Sequence, residues 1–314
     1  MSLCLLAASS DSSESDGPVA GQLVIFHAGS LSVPFDEIAD AFMKEHPSVT
    51  ILREIDASRT CARKISDLHK RCDVFASADY TVIDYLLIPD YADWSIKFAT
   101  NEMTIAFRDE SRRSEEINAD NWHDILLKED VRFGRSDPDS DPCGYRAVIT
   151  MKLAEQHYGR PDLAELLLSK DRGYIRPKSV DILALLEFGE IDYVFEYSSV
   201  ARQHGHRSIT LPDEINLGEP AFADIYGTAV AEISGRTPGT TISKRGQPMV
   251  YGVTIPSTVQ NRHAALAFLE FLLDENRGGA IMNKHGQPSA VPSETATFDK
   301  LPTNLRKYAR GKQE

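Results

Sequence analysis

Cysteine is scarce in this chain: four among 314 residues, Cys4, Cys61, Cys72 and Cys143, and no Cys-x-x-Cys pair. A zinc knuckle and a thioredoxin-type redox motif are therefore unsupported. Cys61 and Cys72 flank one short predicted helix, which leaves open either a disulfide in an oxidising compartment or two partly buried free thiols. No apolar run reaches the ~18 residues of a membrane span. Positive charge is in deficit: 34 Lys and Arg stand against 47 Asp and Glu, a net charge of −13. Binding to nucleic acid needs a basic face, so no nucleic-acid partner is expected. A small anionic ligand remains admissible, because the local dipoles of a pocket outweigh distant, screened charges. Neither a nucleophile elbow nor a His-Glu-x-x-His helix is present, and there is no internal repeat.

What the chain does have is the composition of a globular protein with a full core, 42% hydrophobic and 26% charged, at a length that suits about two domains. Met1-Ser2-Leu3-Cys4-Leu5-Leu6-Ala7-Ala8 resembles the tail of an apolar signal segment, without a basic stretch before it, and Ser9 to Pro18 read as a polar tether. Cys4 is a candidate for a lipid anchor. The expectation is an extracytoplasmic protein, at the cell surface or in a periplasm, with residues 1–21 outside the folded body.

From residue 22 short apolar runs alternate with amphipathic stretches. Strands are predicted at 23–26, 49–52, 73–76, 103–107, 131–134, 193–195, 225–230 and 249–254. Helices are predicted from Pro34, over 60–69 and 80–88, through Ala147, Met151, Ala154 and Tyr158, and over 180–188 and 261–273. The alternation implies an α/β protein with mainly parallel sheets covered by helices. Ligands of such sheets bind beyond the carboxyl ends of the strands. Four loops occupy such places: 28–32, 57–59, 136–145 and 196–198. Two come from the first third and two from the middle, so a ligand touching all four would lie in a cleft between lobes.

The loop 136–145 is the most informative. Asp137-Pro138-Asp139-Ser140-Asp141-Pro142-Cys143-Gly144-Tyr145-Arg146 packs three carboxylates, two prolines and a glycine ahead of a helix, whose N-terminus offers spare N–H donors and partial positive charge. Capping alone would also explain Asp141. Glu196 interrupts the buried run Tyr193-Val194-Phe195-Glu196-Tyr197, so it must be paired, protonated or bound to something; an ion pair with Arg146 or Arg202 is the plainer alternative. Gly29-Ser30 and Ser58 each place a hydroxyl at a helix start, as anion donors or as plain caps. Carboxylates facing an oxyanion make sense if its central atom is an electrophile that accepts more oxygen. Tungsten(VI) and molybdenum(VI) do so and sulfur(VI) does not; two carboxylate oxygens added to four oxo groups complete six-coordination, and repulsion rejects sulfate.

His27-Ala28-Gly29-Ser30-Leu31, Ala76-Ser77-Ala78-Asp79-Tyr80, Asp141-Pro142-Cys143-Gly144-Tyr145-Arg146 and Asp192-Tyr193-Val194-Phe195-Glu196-Tyr197 together resemble the archaeal-type molybdate/tungstate-binding proteins of ABC transporters, over about residues 22–292. The resemblance implies a two-lobed periplasmic-binding-protein type II fold that closes on its ligand about a two-stranded hinge. Lobe 1 would comprise 22–100 plus 253–314 and lobe 2 101–252, with the hinge near Thr100-Asn101 and Gly252-Val253. It further implies that Asp141 and Glu196 coordinate the metal centre, that Ser30 and Ser58 contact the oxo groups, and that backbone donors lie near Gly29, Ala78 and Cys143. The implied partners are the oxyanion and a membrane ABC permease; no catalysis and no cofactor are needed, and a monomer is expected. Three other readings stay open: a sulfate or phosphate binder, a hydrolase with Asp141 and Glu196 as acid and base, and a calcium loop on Asp137, Asp139 and Asp141 in which the glycine and terminal Glu are out of place.

Overall fold

The alternating pattern folds into two five-stranded sheets in the computed structural model, which describes residues 18–312. Most of the segment 1–21, including Cys4, lies outside the described residues. The first lobe starts with β1 (Gly21–Ala28), α1 (Ser32–Glu45), β2 (Val49–Asp56), α2 (Ser58–Ser66), β3 (Val74–Ser77), α3 (Tyr80–Leu86) and β4 (Ile96–Thr100). The chain then crosses to the second lobe through Asn101 and Glu102. There it forms β5 (Met103–Phe107), α4 (Trp122–Leu126), β6 (Phe133–Ser136), α5 (Pro142–His157), α6 (Leu163–Lys170), β7 (Ile175–Arg176), α7 (Ser179–Glu187), β8 (Tyr193–Tyr197), α8 (Ser198–Gln203), β9 (Arg207–Thr210), α9 (Ala223–Tyr226) and the hairpin β10 (Val230–Ser234) with β11 (Thr241–Arg245). It returns as β12 (Val250–Thr254), followed by α10 (Arg262–Leu273) and α11 (Gly278–Lys284).

The strand orders are β2-β1-β3-β12-β4 and β7-β6-β8-β5-β9. In the first sheet β1 pairs in parallel with β2 and β3, whereas β12 runs antiparallel to β3 and β4. In the second, β6 is parallel to β7 and β8, whereas β5 is antiparallel to β8 and β9. The antiparallel members are thus the two strands that arrive from the other lobe. Gly252 and Val253 lie within β12, opposite Ser77 and Ala76 of β3.

The central strands β3, β5, β6 and β8 are buried along their whole length, as strands covered on both faces must be. In the first lobe Phe35 and Phe42 of α1 pack edge-on against Phe268 of α10. In the second, Trp122 and Phe133 meet Phe195. Each lobe thereby has a rigid base beneath its binding loops.

One expectation needs correction, and one open alternative is decided. Residues 225–230 are not a strand: α9 ends at Tyr226, a turn follows, and the strand starts at Val230. The aromatic side chain decides this, because the Tyr226 hydroxyl accepts from the Glu219 amide at 3.2 Å and donates to the Asp213 carbonyl, holding a compact turn. Cys61 and Cys72 are free, buried thiols, packed in the same apolar cluster as Phe26 and Phe75.

Candidate functional site

The acidic loop becomes a helix start through Asp141. Its Oδ1 accepts from the Cys143 amide at 3.1 Å, which makes it the N-cap of α5, with Pro142 in the first turn. Only glycine fits three residues after Asp141: a Cβ on Gly144 would lie 2.4 Å from the Ser136 carbonyl oxygen. That close approach folds the loop tightly onto the end of β6. Asp137 and Asp139 turn to other work: Asp137 accepts from the Asp139 amide at 3.0 Å and Asp139 from the Ser234 amide at 2.6 Å. The calcium-loop reading thus finds its first two carboxylates engaged elsewhere.

The other oxygen of Asp141, Oδ2, accepts from the Ser179 amide at 2.8 Å, at the start of α7. Ser179 is a site residue that sequence reasoning misses. To Asp141 it contributes a main-chain N–H, which side-chain chemistry cannot signal, and its hydroxyl favours the ionised form of Glu196. Burial raises the Asp141 carboxyl to about 6, even though the two amides work the other way.

Glu196 stands at the carboxyl end of β8, fully buried. Its Oε1 accepts from its neighbour's amide, Tyr197, at 2.8 Å, and the Cys143 thiol approaches it at 3.5 Å. Its Oε2 has no protein partner. A buried acceptor left unpaired costs about 1–3 kcal/mol. Burial pushes the Glu196 carboxyl up to about 8, and the charge of Asp141 adds to the shift. The suggested ion pair is not formed: Arg146 instead donates to the Ala78 carbonyl and the Tyr197 hydroxyl, both at 2.8 Å, and its Nη2 lies 3.7 Å from Asp79.

The first lobe contributes the hydroxyls. Ser58 Oγ accepts from the Ala78 amide at 3.0 Å, and Ser30 Oγ accepts from the Tyr251 hydroxyl at 3.0 Å. Both serines are buried, and each hydroxyl keeps its own proton for another acceptor. The Ala78 and Cys143 amides are thus not free donors here; each is spent on a side chain of the site. The lobes meet directly, since a Cβ on Gly29 would lie 3.1 Å from Val180 of α7 and 3.9 Å from the Ser179 hydroxyl. Arg59 strengthens the junction, its amide donating to the Ser140 carbonyl at 3.2 Å and its Nε to the Asp139 carbonyl at 2.9 Å. One further hydroxyl, Ser136 Oγ at the end of β6, is buried near Asp141, whose ionised form it favours.

The arrangement therefore brings residues of the two lobes together at one junction. One wall holds Asp141, Cys143, Ser179 and Glu196; the other holds Gly29, Ser30, Ser58 and Ala78. It offers unspent carboxylate valences on one side and hydroxyl donors on the other.

Residues 23–287 match the family described as bacterial extracellular solute-binding protein. An uncharacterized solute-binding protein of Petrotoga mobilis is 47% identical over 93% of this chain and 91% of its own length. The molybdate/tungstate-binding protein WtpA of Pyrococcus abyssi is 40% identical over 92% of this chain and 90% of its own. Among solved structures, the periplasmic molybdate-binding protein of Azotobacter vinelandii superposes with a TM-score of 0.57 at 14% identity, covering 84% of this chain and 98% of that one. The sulfate-binding protein SubI of Mycobacterium tuberculosis gives 0.60 at 14% identity over 92% and 94%. These two likenesses speak to the fold. The family match and the sequence identities together show that this chain belongs to the bacterial extracellular solute-binding proteins.

Proposed function

We propose that the protein captures molybdate or tungstate between its lobes, outside the cytoplasm, and delivers it to a membrane ABC permease. The observation that carries this reading is the partnerless Oε2 of Glu196, buried beside Asp141 where the two lobes meet. A sulfate there gains no bond to its sulfur from either carboxyl group, and is repelled by each one that ionises. A metal(VI) centre accepts an oxygen from each, because Asp141 and Glu196 complete its six-coordination. The hydroxyls of Ser30 and Ser58 and the Gly29 amide then donate to the oxo groups. Ala78 and Cys143 act one step back: their amides hold Ser58 and Asp141 in position. Relatives named as molybdate/tungstate-binding, at 40% identity over most of the chain, support the same ligand.

Binding that bridges both lobes favours the closed state by the difference in affinity between the two states. No catalytic step is required, and the protein is taken to act as a monomer. Isothermal titration with tungstate, molybdate, sulfate and phosphate tests the reading. Tight binding of the first two with none of sulfate is the expected result. Sulfate bound as tightly as tungstate, or no binding of any of the four, would overturn it.

A further inference from the structure

The hairpin β10–β11 belongs to the second lobe but lies across helices of the first. Arg63 of α2 donates to the Gly235 carbonyl at 2.6 Å. The Arg236 amide donates to the Tyr85 hydroxyl at 3.1 Å, and its side chain to the Leu86 carbonyl at 3.2 Å. Arg59 reaches the Ser234 carbonyl. At the base of this arm one first-lobe carboxylate, Asp79, gathers second-lobe donors. Its Oδ2 accepts from the Tyr145 hydroxyl at 2.6 Å and faces Lys244 Nζ at 2.7 Å, with Arg146 Nη2 at 3.7 Å. Its Oδ1 is occupied within the first lobe, accepting from the Thr81 amide at 2.9 Å and the Thr81 hydroxyl at 2.8 Å.

From this division of labour we infer that Asp79, Tyr145 and Lys244 form a clasp that shifts the open–closed equilibrium toward the closed state through contacts that do not involve the ligand, and that Asp79 is a positioning residue for the ligand without touching it. This rests on the binding reading above. The geometry distinguishes the two oxygens: the cap on Oδ1 survives opening, whereas all that Oδ2 holds comes from the other lobe. The group is buried in the closed form, and opening exchanges its partners for water. Burial opposes ionisation of Asp79, yet Lys244 and Arg146 hold its carboxyl well below the usual carboxylate range. Burial likewise draws Lys244 below the ordinary lysine value while Asp79 opposes the shift. The clasp also adjoins the ligand wall, because Asp79 follows Ala78, whose amide positions Ser58 and whose carbonyl receives Arg146.

The test compares wild type with Lys244→Gln and Tyr145→Phe, two changes on the second lobe; Tyr145→Phe leaves the α3 cap untouched, and Lys244→Gln also removes the bond from Lys244 Nζ to the Thr81 hydroxyl while both Thr81 bonds to Asp79 Oδ1 remain. Small-angle scattering without ligand reports closure, and stopped-flow measurement with tungstate reports dissociation. A larger ligand-free radius of gyration and a dissociation rate about tenfold faster in Lys244→Gln are expected, in line with loss of one charge-assisted bond. Combining Lys244→Gln with Asp79→Asn should add little to the worse single change, since both remove the same contact. Equal radii, or equal tungstate dissociation rates, overturn the clasp. A larger radius in a protein whose wild type binds no oxyanion leaves the clasp standing and removes tungstate from the cleft.

Discussion

The Ser179 amide donates to Asp141 Oδ2 at 2.8 Å, so a carboxylate that already caps α5 also caps α7. Asp141 thereby joins two helices whose N-terminal ends converge on the cleft. One cap is worth about 1 kcal/mol. Asp141→Ala should cost about 2 kcal/mol by denaturant titration of the ligand-free protein, and should also abolish tight tungstate binding. Asp141→Asn keeps one acceptor oxygen, so its stability should fall between the two while binding is still lost. Full stability in Asp141→Ala would mean that the two caps do not hold the loop.

Gly144 offers a separate test of how the loop is built. An added methyl group at this position meets the Ser136 carbonyl oxygen at 2.4 Å and the backbone of Asp137 at 2.6 Å. Overpacking of this kind costs about 1–3 kcal/mol. Gly144→Ala is expected to unfold that much more easily, and to bind tungstate more weakly because Asp141 is displaced. A variant as stable as wild type would show that the loop relaxes freely.

The main features of this site are legible in the sequence because they break local rules. A glutamate inside Tyr193-Val194-Phe195-Glu196-Tyr197 is costly unless used, and Asp141-Pro142 announces a helix start. The contribution of Ser179 is not legible, since every residue but proline carries an N–H. The hairpin is hidden for another reason: β11 is largely solvent-facing, so Thr241–Arg245 lacks the apolar alternation that marks a strand. Asp79 stands in a recognisable motif, but its partners Tyr145 and Lys244 come from 66 and 165 positions away (145 − 79 and 244 − 79). Only the closed tertiary structure brings them together.

The raised carboxyls set the direction of the pH response. Glu196 rises from 4.5 to about 8 and Asp141 from 3.8 to about 6 on folding, both chiefly through burial. A group raised on folding holds its proton longer in the native state, so the stability it supports is complete below its unfolded pKa and is lost as pH rises through the folded one. The ligand-free protein should therefore lose stability between about pH 5 and 8 to a greater extent than Glu196→Gln, which has no proton to lose. Thermal melts across that range check this. If both proteins follow the same curve, Glu196 is not protonated in the closed cleft.

Glu196→Gln also separates coordination from simple hydrogen bonding. The amide has the shape of the acid but neither its charge nor its strength as a ligand for a metal(VI) centre. If six-coordination supplies the affinity, tungstate binding in this variant should weaken by at least about a hundredfold, near 2.7 kcal/mol. Sulfate should move the other way. The hydroxyls of Ser30 and Ser58 remain as donors, and the new amide N–H₂ adds a donor that, unlike the Glu196 carboxyl, cannot ionise and repel the anion. Calorimetric titration of the variant should then show weak sulfate binding where wild type shows none. Tungstate binding retained in full would mean that Glu196 does not coordinate, and that selectivity against sulfate must rest on Asp141 or on the size of the closed cleft.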